Sequence, residues 1–207
     1  MVETSIRVEE ICHPGDPLLL DWLDLYEQAF PPFERVLVSR VLRQVAMIER
    51  GQETDNHILA AVDASSRLVG LMWIRKLLDM PVAFLWYFAT VPEVRGLGMG
   101  AEFYRWLLRF LQPDVQALVY DVEDPRLLAA PEKQEIARRR IAFYQRQGAR
   151  LIGGIRYIAS VAPYKPGVEG RLMAHPLVDG LSVQDALALA QPTLGDWITP
   201  VGEIRWE

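Results

Sequence analysis

Apolar residues recur at helical spacing in two segments near the N-terminus. The first segment follows Asp16-Pro17, a pair typical of a helix N-cap with proline at the first helical position. The sequence FPPFER at 30–35 ends this helix, and Gly51 ends the second one. The buried faces predicted from the spacing are Leu19, Trp22, Leu23, Tyr26 and Phe30 in the first helix, and Val38, Val41, Leu42, Val45 and Ile48 in the second.

The apolar pattern becomes strand-like between residues 57 and 91. Two runs, 57–62 and 68–77, are separated by a short polar loop, which is typical of a hairpin. A third run, 82–91, follows a break at Met80-Pro81. Together with an early strand at 6–11, the pattern predicts three consecutive antiparallel strands.

The C-terminal half alternates helices and strands. Glycine and proline delimit a helix at 98–111, a strand at 117–122 and a long helix at 131–147 that Gly148 closes. A last strand pair is expected at 151–161 and 171–174, and a small helix capped by Ser182 at 182–190. The buried stripe predicted for the 98–111 helix is Phe103, Trp106, Leu107, Phe110 and Leu111. We expect an α+β fold, with one domain over residues 1–175 and an extension over 176–207 packed on or beside it.

Composition narrows the chemistry. The chain has 207 residues, a net charge of −5 and one cysteine, Cys12. The acidic balance argues against a nucleic-acid partner, and a single cysteine excludes cysteine-cluster metal sites and an intrachain disulfide. The three histidines do not have ligand spacing, so no metal is expected. We find neither a signal peptide nor an apolar run of about 20 residues, and we therefore expect a cytoplasmic protein without a membrane partner.

The candidate chemistry begins at the sequence VPEVRGLGMGAEF, residues 91–103, where a predicted strand passes through glycines into a helix. The first turn of a helix has unpaired N–H groups at the positive end of its dipole. Glycines let a phosphate approach such a main chain, and Arg95 adds a positive charge. The stretch therefore predicts a phosphate-binding loop. The plain alternative is that the glycines serve only the geometry of a turn that binds no ligand.

Two familiar phosphate motifs fit this loop poorly. A P-loop requires Gly-Lys followed by Ser or Thr, which is absent. Gly96, Gly98 and Ala101 do match G-x-G-x-x-A, and Asp121 follows about 20 residues later, as in dinucleotide-binding proteins. However, residues 92–95 separate the strand from the first glycine, and the preceding strands form hairpins rather than βαβ units. A nicotinamide-dependent oxidoreductase is therefore a less favoured alternative.

The stretch resembles the phosphate loop of the GNAT superfamily of N-acetyltransferases, Arg/Gln-x-x-Gly-x-Gly/Ala. Here it reads Arg95-Gly96-Leu97-Gly98-Met99-Gly100, followed by Ala101. The resemblance implies a mixed, mostly antiparallel sheet flanked by helices in α/β/α layers, with splayed central strands. It also implies that these loop amides bind the pyrophosphate of coenzyme A. The strand end Ala89, Thr90 and Val91 would pair with the pantetheine arm, and an amide near Val91 would polarise the thioester carbonyl.

A second stretch, IAFYQRQG at 141–148, is similar to the family's A-x-x-x-Tyr-x-x-x-Gly-Phe motif. The resemblance makes Tyr144 the general acid that protonates the coenzyme A thiolate, a role that suits a phenol protonated at neutral pH. A tyrosine packed in a helix interface is the plain alternative. The chain departs from the motif at Ala149, where the family usually has Phe, and at Ala137, where it frequently has Asn.

Two acids at the end of the 117–122 strand are candidates for the general base. Asp121 and Glu123 are two residues apart and so point to the same face of a strand. Similar family members often carry a base carboxylate near this point, and either residue would accept the amine proton. Glu123 is the first choice and Asp121 the second. A solvated acidic loop is the alternative.

The segment at 30–35 is similar to an element of some family members that lines the acceptor pocket. Four aromatic residues are therefore candidates for substrate contact, although core positions would explain them equally: Phe33, Trp73, Trp86 and Tyr87. The resemblance implies acetyl transfer from acetyl-CoA to a primary amine of a small molecule or peptide, by direct attack in a ternary complex. It also suggests a homodimer. A non-catalytic acetyl-CoA sensor or scaffold is the main alternative.

Overall fold

The computed structural model describes residues 5–52, 55–77, 79–159, 168–194 and 198–200. The chain folds into two compact units. The first comprises Met1–Leu78 and Leu85–Leu111, and the second comprises Asp79–Phe84 and Gln112–Glu207. Both units combine helices with strands, so the α+β class predicted from the sequence is confirmed.

The first unit is built on four neighbouring strands in the order β1-β2-β3-β4. They are β1 (Arg7–Glu10), β2 (Asn56–Val62), β3 (Leu68–Lys76) and β4 (Val82–Thr90). The first three residues of β4 belong to the second unit. The β1/β2 and β2/β3 pairs are antiparallel. A short connection joins β3 to β4, and the N–H of Val91 donates to Val69 O at 3.1 Å, as antiparallel neighbours require. The three predicted consecutive strands are confirmed.

Three helices belong to this unit: α1 (Leu19–Ala29), α2 (Val38–Glu49) and α3 (Met99–Leu111). The prediction that Asp16 caps α1 is wrong, because the N-cap is Leu18. Asp16 Oδ1 instead accepts from the N–H of Leu18 at 2.9 Å and closes a turn just before the helix. Gly51 follows the end of α2 as predicted, with a φ of +64°.

The largest fully buried side chains of the first unit are aromatic. The indole of Trp22 donates to Leu59 O at 3.0 Å, so its one polar atom is satisfied inside the core. The buried stripe of α3 differs from the prediction, because Tyr104 is fully buried. Trp106 and Phe110 lie at the edge of that stripe, half-buried and stacked on each other at 5.0 Å. In α2, Val41 and Val45 are buried, whereas the predicted core residue Leu42 is exposed.

The second unit contains the start of β4 and five further strands in the order β4-β5-β8-β7-β9, with β6 also paired to β8. They are β5 (Ala117–Glu123), β6 (Arg150–Leu151), β7 (Ile155–Ala159), β8 (Val168–Pro176) and β9 (Ile198–Pro200), and the helices are α4 (Pro131–Arg146) and α5 (Val183–Leu194). The β4/β5 pairing, Val82↔Ala117 to Phe84↔Val119, is parallel. The other recorded pairings of the unit are antiparallel, so the unit is mixed and mostly antiparallel.

The C-terminal elements differ from the prediction in several ways: β8 (Val168–Pro176) is longer than the expected strand at 171–174, and β9 was not predicted. The strand expected over 151–161 is divided into β6 and β7, because two consecutive glycines interrupt it. Its last two residues, 160 and 161, lie outside the described residues. The last helix begins as predicted, with Ser182 Oγ accepting from the N–H of Asp185 at 3.1 Å, but it extends to Leu194. This helix packs against β5 and β8. The predicted domain boundary after residue 175 stays a prediction.

Candidate active site

The predicted phosphate loop joins β4 to α3. A 3-10 turn covers Pro92–Val94, and the loop then passes through Gly96 and Gly98 before α3 begins. These two glycines have φ values of +82° and +88°. In that left-handed region a residue with a Cβ costs roughly 1–2 kcal/mol, so the path of the loop depends on both glycines.

The loop uses some of its N–H groups internally. Arg95 N donates to Pro92 O and Leu97 N to Val94 O, both at 3.2 Å. Within the described part of the chain, no backbone acceptor is recorded for the N–H groups at the start of the helix, namely those of Gly98, Met99, Gly100 and Ala101. These groups lie at the positive end of the dipole of a 13-residue helix, beside an exposed loop. The donor set therefore suits an anion such as a pyrophosphate.

The end of β4 is connected to this loop by Arg95. The exposed Arg95 guanidinium donates to Thr90 O at 3.2 Å, which keeps its charge next to the strand end. Ala89, Thr90 and Val91 are half-buried. The N–H of Val91 itself donates to Val69 O, and the polarisation of a thioester carbonyl by an amide near Val91 stays a prediction. That polarisation would require a different donor.

In the second unit, the two predicted carboxylates have different surroundings. Asp121 is exposed at the end of β5, yet the protein atoms packed near its carboxylate partly desolvate it and raise its pKa to about 6. Arg140 opposes this pKa rise and Glu123 adds to it. An ordinary surface carboxylate has a pKa near 4, so the protein atoms near Asp121 favour the protonated form of its carboxyl group. Glu123 lies 2.7 Å from Arg140 in an ion pair.

Tyr144 is buried on α4, one helical turn after Arg140, where its ring meets that of Tyr120 with centroids 4.5 Å apart. Burial raises the pKa of the Tyr144 phenol above its ordinary value, Arg140 lowers it and Asp121 raises it further. The phenol is therefore protonated throughout the neutral range. Tyr144 and Asp121 interact electrostatically, which brings together two of the three predicted catalytic residues.

Sequence reasoning missed Tyr157 as a member of this cluster. It is buried on β7, and burial together with the charge of Asp121 raises the pKa of its phenol. Gly170 of β8 pairs with both Glu123 and Tyr157 in the sheet register. A Cβ at Gly170 would lie 2.8 Å from Val122 O, so the strands come close there. Only the register of three strands reveals this neighbourhood, since no motif contains Tyr157.

Four aromatic residues of the first unit were predicted to contact substrate, and they differ in the exposure of their side chains. Trp73 is 1% exposed and its indole donates to Asn56 Oδ1 at 2.8 Å, so it belongs to the core. Tyr87 is also buried, and its hydroxyl is bonded to main-chain atoms of Glu34 and Val36. Trp86 is half-buried, and Phe33 is 49% exposed.

Neither a metal-binding cluster nor a membrane-spanning helix is present among the described residues. No group of three His, Cys, Asp or Glu side chains there is arranged to hold a metal ion. None of the helices described has the length and apolar character needed to cross a membrane.

Comparison with known proteins identifies the fold. No family model and no curated protein matches the chain. Solved structures do match it. A GNAT-family acetyltransferase from Bacteroides thetaiotaomicron is 22% identical, with a TM-score of 0.68 over 88% of this chain and 92% of that chain.

Two further solved structures match at lower identity. The spermidine/spermine N-acetyltransferase of Vibrio cholerae is 12% identical, with a TM-score of 0.56 over 83% of this chain and 92% of that one. The ribosomal-protein-S18-alanine N-acetyltransferase of Escherichia coli is 16% identical, with a TM-score of 0.53 over 86% and 99%. The chain therefore has the GNAT fold, and the fold prediction is confirmed.

Proposed function

We propose that this protein is a GNAT N-acetyltransferase that transfers an acetyl group from acetyl-CoA to a primary amine. The observation that carries the proposal is the β4–α3 connection. It combines two left-handed glycines with the N–H groups at the start of α3 for which no backbone acceptor is recorded. The GNAT fold supports the same function. The resemblance to that family predicts that the pyrophosphate of coenzyme A binds at the connection between β4 and α3.

The proposed binding roles follow from the donors available. The N–H groups at the start of α3 hold the pyrophosphate, and Arg95 contributes charge beside it. The strand end at Ala89 and Thr90 offers main-chain groups to the amide-bearing pantetheine arm, a form of strand addition. No metal ion is needed for these contacts.

The proposed chemistry is direct attack in a ternary complex, to which acetyl-CoA supplies an activated acetyl group as a thioester. The amine nitrogen forms a bond to the carbonyl carbon, and the carbon–sulfur bond breaks. Asp121 accepts the proton that the amine loses, and Tyr144 donates a proton to sulfur. We prefer Asp121 to Glu123 as the base because a pKa of about 6 suits proton acceptance near neutral pH, whereas Glu123 is engaged by Arg140.

The acceptor is proposed only as a primary amine of a small molecule or peptide. Proteins with this fold include acetyltransferases named for spermidine and for the alanine of a ribosomal protein, which supports an amine without selecting one. A homodimer, a cytoplasmic location and a C-terminal extension over 176–207 remain further proposals.

A thermal-shift comparison tests coenzyme binding first. We expect acetyl-CoA to raise Tm by several degrees at saturating concentration and NAD or NADP to leave it unchanged. A thiol-release assay with a panel of amines then tests transfer. Stabilisation by acetyl-CoA without amine-dependent thiol release would favour a sensor or scaffold, and stabilisation by NAD alone would favour an oxidoreductase.

A further inference from the structure

Arg140 joins α4 to the acids at the end of β5. Its guanidinium donates from Nη1 to Glu123 Oε2 at 2.7 Å. The two side chains are 40% and 24% exposed, so the pair adds little to stability. Tyr144 follows Arg140 by four residues, which places both side chains on the same side of the helix. The A-x-x-x-Tyr motif has Ala where this chain has Arg140, so the arginine is a departure from that pattern.

The sheet brings few other charges to the face that carries Asp121 and Glu123. The residues of β8 paired with these acids are Leu172 and Gly170, which lie on the same face and are uncharged. Arg171, between them, points to the opposite face. The helix α5 also packs against β5 and β8, and its buried residues are apolar. The charge at this face therefore depends mainly on the two acids and on the guanidinium from α4.

Arg140 and Glu123 act on the Asp121 carboxylate in opposite directions. Desolvation is the main cause of the raised pKa of Asp121; a main-chain hydrogen bond and the charge of Arg140 lower it, and the charge of Glu123 raises it. The phenols of Tyr144 and Tyr157 also interact with Asp121, and burial keeps both protonated in the neutral range. The balance at Asp121 is therefore set by one cation and one anion that are bonded to each other.

We propose that Arg140 is a positioning residue for the proton transfer, which holds Glu123 in an ion pair and leaves Asp121 to accept the proton of the attacking amine. This inference rests on the proposed function. The amine nitrogen keeps the electron pair of its N–H bond, and the proton passes to the Asp121 carboxylate. Without the guanidinium, the full charge of Glu123 would act on Asp121 and move proton acceptance to higher pH.

Two variants that break the same ion pair test this role. Arg140→Met removes the cation and leaves the charge of Glu123 uncompensated, so the titration midpoint of Asp121 should rise by about 0.5–1 pH unit. Glu123→Gln removes the anion and leaves the cation, so the midpoint should fall by a similar amount. An ion pair that served only folding would not move the midpoint in opposite directions, because both variants lose the same contact.

Carbon-13 NMR of the aspartate carboxyl groups measures the midpoint, with the Asp121 signal assigned by its loss in Asp121→Asn. Thiol release with spermidine or an N-terminal alanine peptide, whichever reacts faster, gives the pH profile of kcat/KM. One probe is used throughout, so its own ionisation contributes equally to every profile. Arg140→Met should lower kcat/KM about threefold at pH 6 and less than about 1.5-fold at pH 8, where Asp121 is ionised in both proteins.

Two further variants separate the charge from the side chain that carries it. Arg140→Lys keeps a cation at the same position and should hold the midpoint within about 0.3 pH unit of the parent. Arg139→Met is the matched control, because it removes the same charge from the next residue of α4. Arg139 pairs with Glu135 of the same helix at 2.9 Å, and its side chain is exposed. We expect no change of the midpoint in this variant.

The outcomes keep the two proposals apart. Midpoints that stay fixed, or move in the same direction in Arg140→Met and Glu123→Gln, would overturn the positioning role. Midpoints that move as expected while the kcat/KM profile stays fixed would show that Asp121 does not accept the proton, and would overturn it as well. Failure of the parent to release thiol with any amine of the panel would contradict the proposed function, whereas the NMR titration would still decide whether Arg140 controls Asp121.

Discussion

The loop between β4 and α3 and the cluster around Asp121 are candidate sites of opposite construction. The loop offers main-chain N–H groups in an exposed turn, and its fixed partial charge comes from peptide dipoles. The cluster offers side chains, among which Asp121, Tyr144 and Tyr157 all have pKa values raised by desolvation. The first arrangement suits the binding of a permanent anion, and the second suits the holding and transfer of protons.

This difference determines how each region fails. Main-chain donors cannot be deleted by changing a side chain, so the loop should respond mainly to substitutions that alter its backbone path. The cluster depends on single oxygen atoms and on their protonation, so it should respond to the loss of one atom and to pH. Substitutions in the loop should therefore change affinity, and substitutions in the cluster should change turnover.

The largest effect is expected for Tyr144→Phe. Removing the phenol oxygen should lower kcat about 100-fold in thiol release, because the proton donor to sulfur is lost. The Kd of acetyl-CoA in calorimetry should stay within about twofold. Tyr120→Phe is the matched control, since it removes a hydroxyl from the ring that packs on Tyr144. Equal losses in the two variants would point to packing and would remove Tyr144 from the proposed mechanism.

An intermediate effect is expected for Gly98→Ala. A Cβ at a φ of +88° should shift the loop and weaken acetyl-CoA binding about tenfold, with kcat little changed at saturation. Gly51→Ala is the control, because Gly51 also has a positive φ and open space around its Cβ position, at the end of α2. Both variants should lose roughly 1–2 kcal/mol of folding stability in urea titrations. If Gly51→Ala weakens acetyl-CoA binding as much as Gly98→Ala does, the effect does not come from the loop and the proposed role of the loop is wrong.

The smallest effect concerns the pH dependence of stability. Folding raises the pKa of Asp121 from near 4 to about 6, so the folded state holds this proton more tightly. The resulting stabilisation is complete below about pH 4 and is lost as pH rises through about 6. Asp121→Asn removes this dependence. We expect the parent to lose about 1 kcal/mol relative to the variant between pH 4 and 7, a value reduced for the solvent contact of the side chain.

Urea unfolding of the parent and Asp121→Asn at several pH values measures this difference. The difference between the two stability curves should change between about pH 4 and pH 6 and be nearly constant on either side of that window. Parallel curves over the whole range would mean that Asp121 titrates as an ordinary surface acid, and the preference for Asp121 over Glu123 as the base would then lose its physical basis.

Most helices and strands could be predicted because their signals are local. The glycines around residues 96–100 and the break at Met80-Pro81 locate boundaries without reference to the rest of the chain. Burial within a helix was less predictable, since the stripe of α3 turned to include Tyr104 and left Trp106 and Phe110 at its edge. The helix cap at Asp16 was predicted wrongly because a carboxylate oxygen can accept from a main-chain N–H in a turn as readily as at the start of a helix.

The sequence by itself determined the order of elements and the strand–glycine loop–helix connection, because hydrophobic period and glycine backbone freedom act within a few residues. Only the tertiary structure decided that Asp121 carries a raised pKa, that Arg140 engages Glu123, and that the Tyr87 hydroxyl serves Val36. Desolvation and hydrogen bonding depend on which atoms surround a group in space. Those atoms come from strands and helices far apart along the chain, where spacing in the sequence carries no information about distance.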